Sequence, residues 1–340
     1  MSRIAIIGAG AWGTALSIVA GRSRRHEVRV WAYEPEVREA IATDRMNSIF
    51  LPGHRVPDCV HVTGVYGEAL ADADIVVSAV PSQHCRHIFT RLLPHLTPNM
   101  LVVSATKGLE QNTLLRMTEV VAEVTNQKCA LGALSGPTFA LEVARGDPTA
   151  ITIASDQRQV TDAVQRELGD PAFRIYSNED VIGVELGGAL KNIIAIAAGV
   201  CDGLGLGHNS IAGLITRGLA EMTRLVAACG GRAETMSGLA GLGDLVLTCT
   251  GGLSRNRSVG VELGRGRKLE EIVAGMQGKV AEGVFTTDAA VQLAHAHKIE
   301  MPITEQMHSI LNRGKSPQAA IHELMMRRSK SELQAGSDGQ

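Results

Sequence analysis

The sequence predicts an α/β chain: a doubly wound, mostly parallel sheet in the first half, followed by an all-α C-terminal domain. Three observations predict it. Up to about residue 180, short β-rich runs alternate with amphipathic stretches, as expected of strands crossed over by helices. The runs 4–7 and 75–80 are apolar on both faces, as buried parallel strands are. Beyond that point the strand signal fades into Ala- and Leu-rich helical text. At 340 residues the chain has room for about two domains, here 1–185 and 186–330, with a polar, frayed tail at 331–340.

Predicted strands occupy 3–7, 28–32, 75–80, 101–105, 130–134, 151–154 and 173–176. Amphipathic stretches at 14–20, 85–93 and 114–124 lie between them. Helices are predicted at 181–201, 210–230, 269–274, 286–297 and 304–312. The glycine-rich text 203–207 comes after a helix and not a strand, so it reads as an interhelical turn.

Composition narrows the function. The 33 basic and 35 acidic residues give a net charge of −2, which disfavours nucleic-acid binding. Glycine, at 37 of 340, is above the usual ~7% and has no collagen-like period, so tight turns and close backbone approaches are expected. The six cysteines, Cys59, Cys85, Cys129, Cys201, Cys229 and Cys249, contain no C-x-x-C pair and read as thiols of a reducing compartment. The longest apolar run, 193–201, is far short of the ~20 residues of a membrane span. Arg22, Arg24 and Arg25 come after the N-terminal apolar stretch where a signal peptide would have them precede it, so a cytoplasmic protein is expected. No metal is expected: His84, Cys85 and His87 lack a fourth ligand, and His295 and His297 would diverge on a helix.

Gly8, Gly10 and Gly13 form a G-x-G-x-x-G between a strand and a helix, the context of a Rossmann-type dinucleotide fingerprint. Gly8 permits the turn, Gly10 admits the pyrophosphate and Gly13 lets helix pack on strand. The helix N-terminus then presents free N–H groups to the phosphates. Glu34, 21 residues beyond Gly13, sits near the ~20-residue spacing of the acid that binds the adenosine ribose, which favours NAD over NADP. Arg24 and Arg25 could still reach round, and Glu34 could instead point into solvent.

The second half carries polar groups in apolar text. Lys191 and Asn192 head an apolar helix, and Asp244 lies among leucines, so each needs a partner. Ser254 reads as an N-cap, and Arg255, Asn256 and Arg257 beside that helix start suit a phosphate. The residues alone leave alternatives open. Lys191 could be structural, paired with Asp244 or Glu185. Asp244 could be a cap, Lys107 a loop lysine, and Arg255 and Arg257 a solvated pair.

These segments carry a family resemblance. Residues 8–15 (GAGAWGTA), 104–109 (SATKGL), 135–138 (SGPT), 181–194 (VIGVELGGALKNII), 214–222 (LITRGLAEM), 241–250 (GLGDLVLTCT), 254–256 (SRN) and 301–305 (MPITE) resemble, in order, bacterial NAD(P)-dependent sn-glycerol-3-phosphate dehydrogenase. The resemblance implies interconversion of dihydroxyacetone phosphate and sn-glycerol 3-phosphate with NAD or NADP, for phospholipid synthesis. It implies Lys191 as proton donor or acceptor, with Asp244 and Lys107 beside it. It places Gly136, Thr138, Ser254, Arg255 and Asn256 at the phosphorylated three-carbon substrate. Gly8, Gly10, Trp12, Gly13, Tyr33, Lys107, Ala140, Arg255, Val280 and Glu282 fall at the cofactor. A homodimer is also expected. Two positions depart from the family: Ala11 stands where it often has serine, and Glu34 lacks the basic neighbour that many members carry.

Two competing readings are a related dehydrogenase of a β-hydroxyacid or ketopantoate-like substrate, and a regulator that binds NAD(H) without turnover. The 254–256 segment argues against the first, since a carboxylate substrate does not require it in this form. Lys191 together with Asp244 argues against the second.

Overall fold

The structure is a computed structural model that describes residues 2–276, 281–329 and 331–332. The expected frayed tail at 331–340 therefore lies almost wholly outside the described residues.

One eight-stranded sheet has the order β3-β2-β1-β4-β5-β6-β7-β8. Its strands are β1 (Arg3–Ile7), β2 (Glu27–Trp31), β3 (Val60–Thr63), β4 (Ile75–Ser78), β5 (Leu101–Ser104), β6 (Ala130–Ser135), β7 (Thr149–Ala154) and β8 (Phe173–Asn178). All neighbours are parallel except β6 and β7. The strand order reverses between β1 and β4, which opens the crevice where a doubly wound sheet binds ligands.

Helices cover both faces: α1 (Ala11–Arg22), α2 (Pro35–Asp44), α3 (Tyr66–Leu70), α4 (Cys85–Leu92), α5 (Met117–Thr125), α6 (Ala140–Arg145) and α7 (Arg158–Leu168). Ile4, Ile6, Val28 and Val30 pack one face with Leu16 and Val19 of α1. Ala5, Ile7, Val76 and Val102 pack the other with Phe89 of α4 and Val120 of α5. Each such aliphatic side chain contributes roughly 1.5–3 kcal/mol of burial. The edge strand β3 and helices α2, α3, α6 and α7 lie outside the segments that the sequence marks. The strand β3 and helices α2, α3 and α6 are short or half exposed, so their apolar pattern is weak; α7 is plainly amphipathic, with Val160, Val164 and Leu168 buried at helical spacing, and was legible in the sequence.

The remaining helices are α8 (Val181–Gly203), α9 (His208–Ala228), α10 (Asp244–Thr250), α11 (Arg255–Gly264), α12 (Leu269–Gly275), α13 (Glu282–Ala296), α14 (Pro302–Arg313) and α15 (Pro317–Met325). Asp180 starts α8 by accepting the Gly183 N–H at 2.9 Å, and it also takes the Arg232 N–H and the Thr235 hydroxyl. Contrary to the count of apolar runs, α8 is long and apolar enough to cross a membrane. Only scattered polar residues and glycines break its apolar text, and 89% of its most apolar window is buried inside the protein. It is the core helix of the second half, with α9, α10, α11 and α13 around it.

Glycines bring α11 and α8 backbone to backbone. A Cβ on Gly199 would collide with the Arg257 carbonyl, and one on Gly260 with the Ile196 carbonyl. Gly203 and Gly264 repeat the contact one turn on. Two other family segments also meet. Glu221 of α9 accepts the Ile303 N–H at 2.8 Å and the Thr304 N–H at 3.3 Å, capping α14, and burial pushes its carboxyl up to about 7 against these donors.

Gly260→Ala should destabilise the fold by about 1–3 kcal/mol, because its methyl would have to displace the α8 backbone. In contrast, Gly213→Ala in α9 adds a Cβ that meets nothing within 4 Å, and should be neutral or stabilise by up to about 1 kcal/mol. Urea unfolding of both variants checks the contrast. Equal effects would disprove the tight α8–α11 seam.

Candidate active site

The cofactor loop is set by sterics. Gly8 has φ +108°, which strains any residue with a Cβ. A Cβ on Gly13 would strike the Gly8 carbonyl, so only glycine lets α1 start this close to β1. Gly10, the N-cap of α1, receives no side-chain cap bond and has nothing within 4 Å of its would-be Cβ. The start of α1 therefore presents unblocked N–H groups over an open cradle. Trp12 and Ala140 pack half-buried against the same core, and the Trp12 indole Nε1 is buried without a partner among the described residues. An open cradle with an orphaned donor fits a bound dinucleotide.

Tyr33 and Glu34 come after β2 on the rim of this crevice. Tyr33 is 75% exposed, its ring tilted against Trp31 at 6.3 Å. Glu34 is the N-cap of α2 and makes no side-chain cap bond. The Arg38 guanidinium donates to the Ala32 and Tyr33 carbonyls, each at 2.8 Å, fixing this corner.

The polar centre joins the two halves. Lys191, on α8, is 6% exposed and donates to Asp244 Oδ1 at 2.9 Å and Thr248 Oγ1 at 2.7 Å. Lys107, three residues past β5, donates to Asp244 Oδ2 at 2.6 Å and to the Gly136 carbonyl at 3.0 Å. Asp244, 1% exposed, thus bridges two ammonium groups. Burial lowers the Lys191 pKa to about 8, Asp244 opposes this, and Lys107 adds to it. Glu185 is not a partner of Lys191: it takes Arg116 and Thr118 instead. Thr248 is absent from the expected site, yet it lies four residues after Asp244, on the same helix face, and that spacing was legible.

A π turn over Leu239–Gly243 delivers Asp244 to the first position of α10. Gly136, with φ +155°, turns the end of β6 so that its carbonyl meets Lys107, and the Thr138 hydroxyl donates to the same carbonyl at 3.1 Å.

The expected phosphate segment divides by role. Ser254 caps α11 by accepting the Arg257 N–H at 3.2 Å. Asn256 is buried; its amide donates to Asn192 Oδ1 at 2.9 Å and its carbonyl takes the Gly283 N–H at 3.0 Å. Arg257 pairs with Asp202 at 2.9 Å and is taken up on the protein surface. Arg255 is exposed and its side chain makes no hydrogen bond among the described residues. The surrounding protein lowers its pKa, and the Glu282 carboxylate opposes that shift. Glu282, at the start of α13, accepts from the Ser82 hydroxyl at 2.6 Å, the Ser82 N–H at 3.2 Å and Gln83 at 3.2 Å. These bonds tie the second half to the loop after β4, and nothing in the sequence signals Ser82. Val280 lies outside the described residues. No group of three or more His, Cys, Asp or Glu among the described residues could hold a metal.

Without its anion the centre would hold two uncompensated cations. Asp244→Asn should therefore destabilise the fold by roughly 3–5 kcal/mol, as breaking a buried pair does. Adding Lys107→Met removes one cation and should restore part of the loss. Thermal unfolding of the single and double variants decides, and a fully stable Asp244→Asn would refute the bridge.

Comparison with known proteins shows the family. The family described as NAD-dependent glycerol-3-phosphate dehydrogenase N-terminus matches residues 3–161, and its C-terminus counterpart matches 180–322. NAD(P)+ glycerol-3-phosphate dehydrogenase of Koribacter versatilis is 64% identical over 335 residues, covering 98% of this chain and 99% of that one. The Acidobacterium capsulatum protein of the same name is 53% identical over 338 residues, covering 98% and 100%. The crystal structure of glycerol-3-phosphate dehydrogenase from Coxiella burnetii superposes with a TM-score of 0.92 at 42% identity, covering 96% of this chain and 99% of that one. A dinucleotide cradle joined to a buried lysine–aspartate centre, on a chain that matches both halves of one family, places this protein in the NAD-dependent glycerol-3-phosphate dehydrogenase family.

Proposed function

We propose that the chain interconverts dihydroxyacetone phosphate and sn-glycerol 3-phosphate with NAD(H) or NADP(H). The observation that carries this reading is the buried Lys191, held by Asp244 and Thr248 and linked through the Asn192–Asn256 bond to the segment bearing Arg255.

Reducing a ketone needs a hydride at carbon and a proton at oxygen. The nicotinamide, when bound, supplies the hydride. Lys191 stabilises the developing alkoxide with its charge and then donates its proton. Asp244 and Thr248 hold its Nζ in one place, and Lys107 completes the electrostatic balance. Arg255 and the N-terminus of α11 anchor the substrate phosphate, with Gly136 and Thr138 beside the Lys107 end of the centre. Gly8, Gly10, Trp12, Gly13 and Ala140 cradle the pyrophosphate end of the cofactor, with Tyr33 at its adenosine end. Glu34 there repels a 2′-phosphate, which favours NAD. A cytoplasmic homodimer supplying glycerol 3-phosphate for phospholipid synthesis completes the proposal.

Loss of reduced-nicotinamide absorbance tests the reaction. Rapid loss is expected with dihydroxyacetone phosphate and little with unphosphorylated dihydroxyacetone, and NADH should outperform NADPH. No turnover despite cofactor binding would overturn the assignment. Lys191→Met should cost at least about 100-fold in turnover while leaving NADH binding intact, as loss of a general acid does. Because the acid form of Lys191 is needed for reduction, that rate should fall as pH rises through about 8, and the oxidation rate should rise over the same interval. Profiles flat across this range would remove Lys191 from the proton step.

A further inference from the structure

The loop leaving β6 touches both ends of α10. Pro137 packs at its start, where a Cβ on Gly243 would be 3.6 Å from the proline Cγ. Phe139 packs at its end: a Cβ on Gly251 would lie 2.6 Å from the ring Cζ and closer still to Cε2. The ring therefore rests directly on the Gly251 backbone, and no side chain could occupy that position without displacing it. Between these two contacts α10 carries Asp244 and Thr248, both partners of Lys191. In the same loop, the Gly136 carbonyl takes Lys107.

Gly251 also sets the turn into α11. Its N–H donates to the Leu247 carbonyl at 2.8 Å, and its carbonyl accepts the Ser254 N–H at 3.3 Å. Ser254 is the N-cap of α11 and Arg255 its first residue. The chain of contacts thus runs from the Phe139 ring to Gly251, to Ser254 and to Arg255. It starts on the half that holds the sheet and ends on the helical half. The Phe139 side chain carries no charge and no hydrogen-bonding group, so it cannot bind a phosphate itself.

We propose that Phe139 is a positioning residue for the substrate phosphate: its ring fixes the turn 251–254 and so sets Arg255 and the α11 N-terminus against the Lys107–Asp244–Lys191 centre. The proposal rests on the reading of α11 as the phosphate anchor. Its physical basis is the geometry that charge-assisted bonds to a phosphate require, so that a displaced Arg255 and α11 N-terminus bind the phosphate more weakly.

Phe139→Ala and Phe139→Leu test it in the full chain at saturating cofactor, with dihydroxyacetone phosphate and unphosphorylated dihydroxyacetone as paired substrates. Phe139→Ala should raise KM for the phosphorylated ketone about tenfold or more, as loss of one hydrogen bond to a charged group does. Its kcat, its NADH binding and its slow rate on the unphosphorylated ketone should stay near those of the parent. Phe139→Leu keeps an apolar group over Gly251 and should recover most of the KM; Phe139→Val, which also clears the ring from Gly251, takes the place of the alanine variant if that one does not fold. An unchanged KM in both variants overturns the proposal. So does an equal loss on the two ketones, which would assign the ring to the Lys191 partners on α10 instead. If the parent itself fails to distinguish the two ketones, the phosphate anchor is wrong and the proposal falls with it.

Discussion

One buried carboxylate organises this molecule. Asp244 is almost wholly removed from water and accepts from two ammonium groups, Lys107 of the sheet half and Lys191 of the helical half. Burying a lone charge is prohibitive, and two cations without an anion would repel, so the three groups are stable only together. Their mutual dependence couples the halves of the chain. Burial lowers the proton affinity of Lys191, against the opposing pull of Asp244, into the range where an amine can both give and take a proton.

The surrounding structure brings these groups into register through close backbone contact as well as side-chain packing. The glycine seam between α8 and α11 puts Lys191 and Asn192 of one helix beside Asn256 of the other. The buried Asn256 amide, engaged with both Asn192 and Gly283, fixes α8, α11 and α13 at one point. With only 3% aromatic residues, the chain has few bulky groups to wedge its elements apart, and close backbone approach is the matching solution. Glu282 and Ser82 add a second tie between the halves beside the crevice.

Much of this was legible locally. The strand–glycine–helix order at the N-terminus, the alternation of buried strands with amphipathic stretches and the N-cap at Ser254 each depend on residues close in sequence. Each appears in the structure within a few positions of expectation. Polar residues in apolar text correctly drew attention to Lys191 and Asp244, because a buried charge must have a partner. The partner's identity was not legible locally. Lys191 could equally have paired with Glu185, and the structure gives that glutamate to Arg116 and Thr118.

The sequence by itself determined the elements whose cause is short-range: turns that need glycine, helix starts that need a cap, strands buried on both faces. Only the tertiary structure decided the antiparallel pairing of β6 with β7, the sharing of Asp244 between two lysines, the division of labour among Ser254, Arg255, Asn256 and Arg257, and the burial of an α8 apolar enough to span a membrane. The physical reason is the same in each case. A propensity is a property of neighbours along the chain, whereas a pairing, an ion triad or a buried face depends on which distant segment arrives, and that is fixed only when the whole core closes.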